Sequence, residues 1–256
     1  METQTQNLAD LQQYFEKYKP QIENALREHF PPAPPNIETR FAEAVESALF
    51  PGGKRLLPVL TLLGAELFGG KAETFLPVAT AVEFIRTSAS IFEDMPFTED
   101  ASAGQPQTSL REKYGEGLAI FVAVGLLNAS YGLVFVNHNG LPERAMQAHA
   151  EISECVGASG LIGGNLTDSS AETLYPVPGK NAKVAVLMSL ALRLGAILAG
   201  ANYLELAQLS RFAELLGDAG RISGEDAKRI LIENFPSSEA RTCLIQLTDY
   251  LAAGKA

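Results

Sequence analysis

The chain has 256 residues, 46% apolar and 20% charged, and twenty Lys+Arg against thirty Asp+Glu leave a net charge of −10. Such apolar content excludes a disordered chain. The acidity argues against a nucleic-acid binder, which needs clustered cations to displace counterions from phosphates. Cys155 and Cys243 lack metal-ligand spacing, and His29, His138 and His149 form no HExxH or i,i+4 pair, so zinc or haem chemistry is not expected. The polar, acidic opening METQTQNLADLQQ is unlike a signal or transit peptide, and with reduced thiols it points to the cytoplasm.

Helical periodicity dominates. Leu8, Leu11, Phe15, Tyr18, Ile22 and Leu26 recur at three and four, the stripe of an amphipathic helix. The Pro-rich linker at 30–36 ends it, because proline cannot continue the hydrogen-bond ladder. Further helices are expected at 41–49, 56–68, 75–90, 111–136, 142–156, 161–168, 182–198, 204–216, 225–233 and 238–251, with Gly, Pro, Asn and Ser between them. Neither a βαβ rhythm nor a repeat interrupts this pattern. The expectation is one all-α domain over 1–256, a bundle of about ten helices. Gly117 to Val136 is twenty residues without a charge, the nominal length of a bilayer span. It lacks flanking Lys/Arg bias and a tryptophan belt, so a buried helix of a soluble bundle is expected rather than a membrane span.

Two stretches carry the chemistry. GGKRLLP (Gly52 to Pro58) feeds Lys54 and Arg55 into a helix start, where two cations beside backbone N–H groups suit an anion; a solvated surface is the competing reading. AVEFIRTSASIFEDMPFTED (Ala81 to Asp100) ends an apolar helix in Glu93, Asp94, Glu99 and Asp100. Carboxylates there suit Mg²⁺, a hard cation that takes oxygen ligands. The alternative is a solvated acidic helix end, although acids at a helix C-terminus oppose its dipole.

In order and content these elements resemble the trans-isoprenyl diphosphate synthases, the polyprenyl synthetase family. GGKRLLP is similar to the family's GGKRLRP, whose Lys and Arg hold the diphosphate of isopentenyl diphosphate. Ala81 to Asp100 resembles A-x-E-x-x-H-x-x-S-L-x-H-D-D-M-P-x-x-D-D, the first aspartate-rich element. KYGEGLAIFVAVGLL (Lys113 to Leu127), GLIGGNLTD (Gly160 to Asp168) and KVAVLMSLALRLGAILAG (Lys183 to Gly200) resemble the elements that follow. The resemblance implies an isoprenoid synthase fold around a deep apolar central cavity, a dimer, and a central core position for 117–136. It implies Lys54, Arg55, Arg86 and Lys183 as diphosphate contacts, with Arg86 at the position of the family's isopentenyl-binding His.

The departures bear on mechanism. Glu93 and Glu99 replace aspartates, the arginines expected near Ala101 to Pro106 are absent, and Asn165 and Val184 replace a Gln and a Thr. The second aspartate-rich element is reduced to Glu225-Asp226, and the basic loop after it is missing. Prenyl transfer ionises an allylic diphosphate, whose leaving group needs metals clamped between two carboxylate clusters. Each lost charge-stabilising contact costs roughly 2.7–4 kcal/mol of barrier. The expectation is a degenerate chain with Mg²⁺ weakly bound or absent, acting as a non-catalytic or regulatory subunit. As partners it would take an isoprenyl diphosphate and either a second copy or a competent synthase. The alternatives are an active divergent Mg²⁺-dependent prenyltransferase or terpene-synthase-like enzyme, and an isoprenoid-binding module without chemistry. Phe84, Phe92, Phe97 and Phe121 read as core packing, with Ala89 and Phe92 the candidates for chain-length control.

Overall fold

The computed structural model describes residues 8–31, 38–50, 52–95, 109–136, 141–157, 161, 179–217 and 224–253. The described residues contain eleven α-helices and no strand. In order they are α1 (Ala9–Glu28), α2 (Glu38–Leu49), α3 (Leu56–Glu66), α4 (Leu76–Glu93), α5 (Leu110–Tyr114), α6 (Glu116–Val136), α7 (Pro142–Val156), α8 (Gly179–Ala199), α9 (Tyr203–Gly217), α10 (Glu225–Asn234) and α11 (Glu239–Ala252). The expected all-α class holds, and most boundaries fall within a few residues of those read from the sequence. The expected helix at 161–168 lies outside the described residues apart from Leu161.

The amphipathic stripe of α1 buries Leu11, Tyr14, Tyr18, Ile22, Ala25 and Leu26, and Pro20 sits within the helix without ending it. Helices α3, α4 and α8 form the centre, where α3 is buried almost all round from Leu57 to Ala65. Burying its leucines and valines against α8 and α4 supplies the main hydrophobic stabilisation, roughly 1.5–3 kcal/mol for each large side chain.

Two glycines set how closely α3 and α8 approach. A methyl group on Gly195 would lie under 3.0 Å from the Thr61 carbonyl oxygen and the Ala65 amide nitrogen. One on Gly64 would meet the Leu192 carbonyl oxygen, so the two backbones are in direct contact there. Helix α8 then ends at Gly200, whose φ of 108° is closed to side chains, with the Gly200 and Ala201 amides both donating to the Ala196 carbonyl at 2.9 Å.

Two expectations need correction. The stretch 111–136 is not one helix, because Gly115 at φ 89° ends α5 and α6 starts afresh at Glu116. Ser109 and Glu112 cap the short α5 reciprocally. Nor is α6 a core helix on all sides. The segments Ala72–Glu93 and Glu116–Val136 are both long and apolar enough to cross a membrane by length and composition, yet 67% of the first apolar window is buried and only 39% of the second. Helix α6 packs one face on α4, tied by the Ser88 hydroxyl donating to the Ala123 carbonyl at 2.9 Å, and turns the other outward. Phe121, expected in the core, is 68% exposed on that outer face.

Substituting Gly195→Ala forces α3 and α8 apart, and a destabilisation of about 1–3 kcal/mol is expected by urea unfolding. The control Gly117→Ala, whose added methyl meets nothing within 4 Å, should leave the midpoint unchanged or raise it.

Candidate diphosphate and metal site

The glycine turn before α3 places its two cations differently. Lys54 is exposed and donates to the Tyr250 hydroxyl of α11, with its ammonium 4.8 Å from that ring's centroid. Arg55 turns inward. It is the helix N-cap residue and holds a left-handed conformation at φ 56°, ψ 40°, the one positive φ outside glycine among the described residues. Such a geometry costs on the order of 1–3 kcal/mol and persists only where surrounding contacts fix it.

Those contacts are ionic. Arg55 Nε donates to Glu23 Oε1 at 2.7 Å and Nη2 to Glu23 Oε2 at 3.2 Å. Nη1 donates to Glu83 Oε1 at 2.7 Å, and Nη2 also reaches the Leu49 carbonyl at 2.7 Å. The side chain is 1% exposed. Burial alone would lower the Arg55 pKa, but its hydrogen bonds to Glu23 and the charge of Glu83 overcome this and the value rises. Gly52 makes room for this, since a methyl group there would collide with the Arg55 guanidinium and the Leu49 carbonyl. The Gly-Gly-Lys-Arg element thus stitches α1, the end of α2 and α4 to the start of α3.

Arg86, one turn along α4 from Glu83, leans on the same carboxylate oxygen. Its Nε and Nη2 donate to Glu83 Oε1 at 3.1 and 2.8 Å, and Nη2 also approaches the Thr87 hydroxyl at 3.4 Å. At 35% side-chain exposure it is the outermost group of the chain Glu23–Arg55–Glu83–Arg86. Of the four expected cations, the structure joins Arg55 and Arg86 through Glu83 and holds Lys54 at the neighbouring surface. Lys183 lies in α8, with its side chain outside the described residues. The expectation of Arg55 as an anion contact does not fit this geometry, because its guanidinium is buried and already shared between two carboxylates and a carbonyl.

Glu93 ends α4 and Asp94 is its C-cap, both half-buried, followed by the buried Met95. Glu99 and Asp100 lie outside the described residues, as does Phe97; Phe84 is buried and Phe92 half-buried. Glu225 and Asp226 open α10, where acids suit the helix dipole. Glu225 pairs with Lys228 at 2.9 Å and Asp226 with Arg229 at 3.2 Å, both on the same helix. Lys228 also pairs with Asp249 of α11; burial would lower its pKa, but these two carboxylates raise it. Helix α10 packs chiefly on α9 and α11, whereas α4 packs chiefly on α6, α3 and α8.

Among the described residues no three Asp, Glu, His or Cys groups converge as a metal-holding set. Mg²⁺ is bound through one or two carboxylates, its other oxygens coming from waters and substrate phosphates, so Glu93 and Asp94 match the protein share of one ion but not of several. The described residues therefore do not by themselves fit the metal cluster that prenyl transfer needs. A cleft of about 420 Å³ between α2 and α5 is lined by Glu43, Glu46, Ser47, Phe50, Lys113 and Tyr114, the last two from the start of the Lys113 to Leu127 element. Both thiols are free and held protonated: burial, then nearby acids, pushes Cys155 and Cys243 up to about 12.

Sequence reading missed Glu23 and Glu83 as members of the site. Glu83 carried a usable signal, a lone carboxylate inside the apolar run Val78 to Ile85, which must be paired if buried. Glu23 carried none.

The polyprenyl synthetase family model matches residues 38–223. The chain is 34% identical over 185 residues to geranylgeranyl pyrophosphate synthase 11, chloroplastic, of Arabidopsis thaliana, covering 68% of this chain and 52% of that protein. A dimethylallyltranstransferase of Fischerella ambigua is 30% identical over 226 residues, 85% of this chain and 63% of that protein. The chain thus spans between about half and two thirds of the length of these curated relatives. Among solved structures, an FPP/GFPP synthase of Zymomonas mobilis superimposes with a TM-score of 0.80 at 19% identity, over 96% of this chain and 99% of that one. The geranyl diphosphate synthase small subunit of Antirrhinum majus gives 0.72 at 18% identity, over 91% and 96%. At those identities the structural likeness speaks to the fold.

Replacing Arg55 by Met leaves Glu23 without its ion-pair partner and the buried Glu83 with Arg86 alone, and should cost about 3–5 kcal/mol in urea unfolding. Gly52→Ala should act in the same direction by about 1–3 kcal/mol through overpacking. Lys54→Met, at the exposed neighbour, should leave the unfolding midpoint nearly unchanged.

Proposed function

The chain belongs to the polyprenyl synthetase family and has the isoprenoid synthase fold, and from that premise we propose that it serves isoprenoid biosynthesis as a non-catalytic or regulatory subunit. One observation carries the reading: Arg55 of the Gly-Gly-Lys-Arg element is spent on the fold, sealed between Glu23 and Glu83. The candidates left for a prenyl or isopentenyl diphosphate are Arg86, Lys54 and Lys183. These cations bind and orient a diphosphate. They do not replace the metal clamp that drives its departure, since ionising an allylic diphosphate needs charge neutralisation on both sides of the leaving group. Glu225 and Asp226, engaged with Lys228 and Arg229, support the same conclusion. A chain of the same fold described as the small subunit of a geranyl diphosphate synthase is in keeping with a subunit role.

The outer face of α6 suits assembly into a dimer. Gly117, Phe121, Val124, Asn128, Gly132 and Phe135 are exposed and lie along one side of the helix, with no charge among them. The pattern is nearly palindromic about Asn128. In an antiparallel pairing across a twofold axis, Phe121 meets Phe135, and Val124 meets Gly132, the bulkier residue opposite the small one. A competent synthase of the same fold offers the corresponding helix, so the face serves a homodimer or a heterodimer.

Purified protein supplied with isopentenyl and allylic diphosphates and Mg²⁺ should release no pyrophosphate above background. Added to a competent synthase, it should change that enzyme's turnover or product length. Rapid Mg²⁺-dependent release by the chain alone, lost in Asp94→Ala, would establish the active transferase or lyase reading instead. Phe121→Asp should shift the sedimentation coefficient from dimer to monomer while the thermal midpoint of the monomer is kept; an unchanged coefficient rules out this face.

A further inference from the structure

The chain of charges ending at Arg86 has a direction. Glu83 Oε1 receives Arg55 Nη1 from the interior side and both Nε and Nη2 of Arg86 from the exposed side. Arg55 is itself fixed by four hydrogen bonds, to Glu23, Glu83 and the Leu49 carbonyl, and is wedged against Gly52. Glu83 is 3% exposed and therefore has no solvent to exchange for its partners. Arg86 gives Glu83 one edge of its planar fork, and its Nη1 makes no hydrogen bond among the described residues. A guanidinium bound along one edge has a fixed plane, which leaves its remaining N–H groups aimed in a set direction.

We infer that Arg55 and Glu83 are positioning residues for Arg86: they set the plane of its guanidinium, and neither touches the bound anion. The inference rests on the reading that Arg86 contacts a diphosphate. Glu83 placed between the two arginines has a second effect, since it subtracts charge from the site. Position and charge predict opposite outcomes on removing it. If Glu83 acted only as a negative charge, neutralising it would tighten an anion. If it holds Arg86 in place, neutralising it weakens the anion. Arg55 separates the two in a complementary way, because lysine keeps the positive charge but cannot span Glu23, Glu83 and Leu49 at once.

The test is calorimetric titration of the full chain with inorganic pyrophosphate. Wild type, Arg86→Met, Glu83→Gln and Arg55→Lys are compared, the last two also in the Arg86→Met background. Arg86→Met should weaken pyrophosphate about tenfold, the loss of one charge-assisted contact. Glu83→Gln and Arg55→Lys should each weaken it about threefold to tenfold in the wild-type background, and by nothing further once Arg86 is gone. Circular dichroism verifies that each variant is folded, and either of the two suffices if the other is not. Equal losses in both backgrounds, or tighter binding in Glu83→Gln, would overturn the positioning role while leaving Arg86 as an anion contact. A wild type that does not bind pyrophosphate, or an Arg86→Met variant that binds it normally, would overturn the diphosphate reading and this inference together.

Discussion

The structure turns on one buried guanidinium. Arg55 enters the interior because Gly52 leaves space for it, and it stays there because Glu23, Glu83 and the Leu49 carbonyl take its hydrogen bonds. Desolvating an ion costs several kcal/mol, and the mutual attraction of close opposite charges offsets this only where the remaining protons and lone pairs are also satisfied. Here they nearly are, which is why a non-glycine residue can sit at φ 56° at the head of α3. The clasp gathers α1, α2, α3 and α4, and the first acidic remnant, Glu93 and Asp94, is carried at the far end of the last of these. Geometry at the glycine turn is thus transmitted to the candidate site through rigid helices rather than loops.

The clasp works beside a second constraint, the glycine crossing of α3 and α8. Gly64 and Gly195 let the two backbones touch, so the helices cannot roll or separate without opening a gap in the most buried part of the fold. This fixes the C-terminal portion of α8, where Arg193 reaches across to Glu151 of α7 and to Ser210 and the Leu206 carbonyl of α9. The interior is therefore closely specified, whereas the periphery is not. Helix α6 presents Phe121, Val124 and Phe135 to solvent at 68%, 51% and 44% exposure, more apolar surface than an isolated helix face ordinarily leaves uncovered.

Much of this was legible in the residues. The stripe of α1 and the all-helical class follow from period, proline and glycine alone. The order of motifs pointed to the family that the comparisons support. Three features were not legible, each for a physical reason. An apolar helix such as α6 looks alike whether wrapped on every side or on one, because composition records apolarity and not the number of neighbours. Gly115 read as one more residue of a long helix, since a left-handed glycine leaves no mark in a pattern of apolar spacing. And Arg55 read as an anion contact because nothing local reveals that Glu23, 32 residues earlier, and Glu83, 28 residues later, converge on it.

That last difference bears most on function. The family element as written, Gly-Gly-Lys-Arg-Leu-Arg-Pro, has two arginines, and this chain keeps the first and has Leu57 at the second. The surviving arginine is the one that holds the fold together. Leu57 is 7% exposed, an apolar side chain in the first turn of α3 where the pattern has a cation. The glycine turn thus keeps the arginine that serves the scaffold and lacks the second cation of the pattern. The charge at the turn leads to the same conclusion. Glu23 and Glu83 cancel Arg55 and Arg86, so the buried set contributes no net attraction for an anion beyond what the outer edge of Arg86 provides. In a molecule of net charge −10, a diphosphate would be held by local hydrogen bonds at short range rather than drawn in by the field of the protein. On the proposed reading such a site recognises a ligand and leaves its bond to carbon intact.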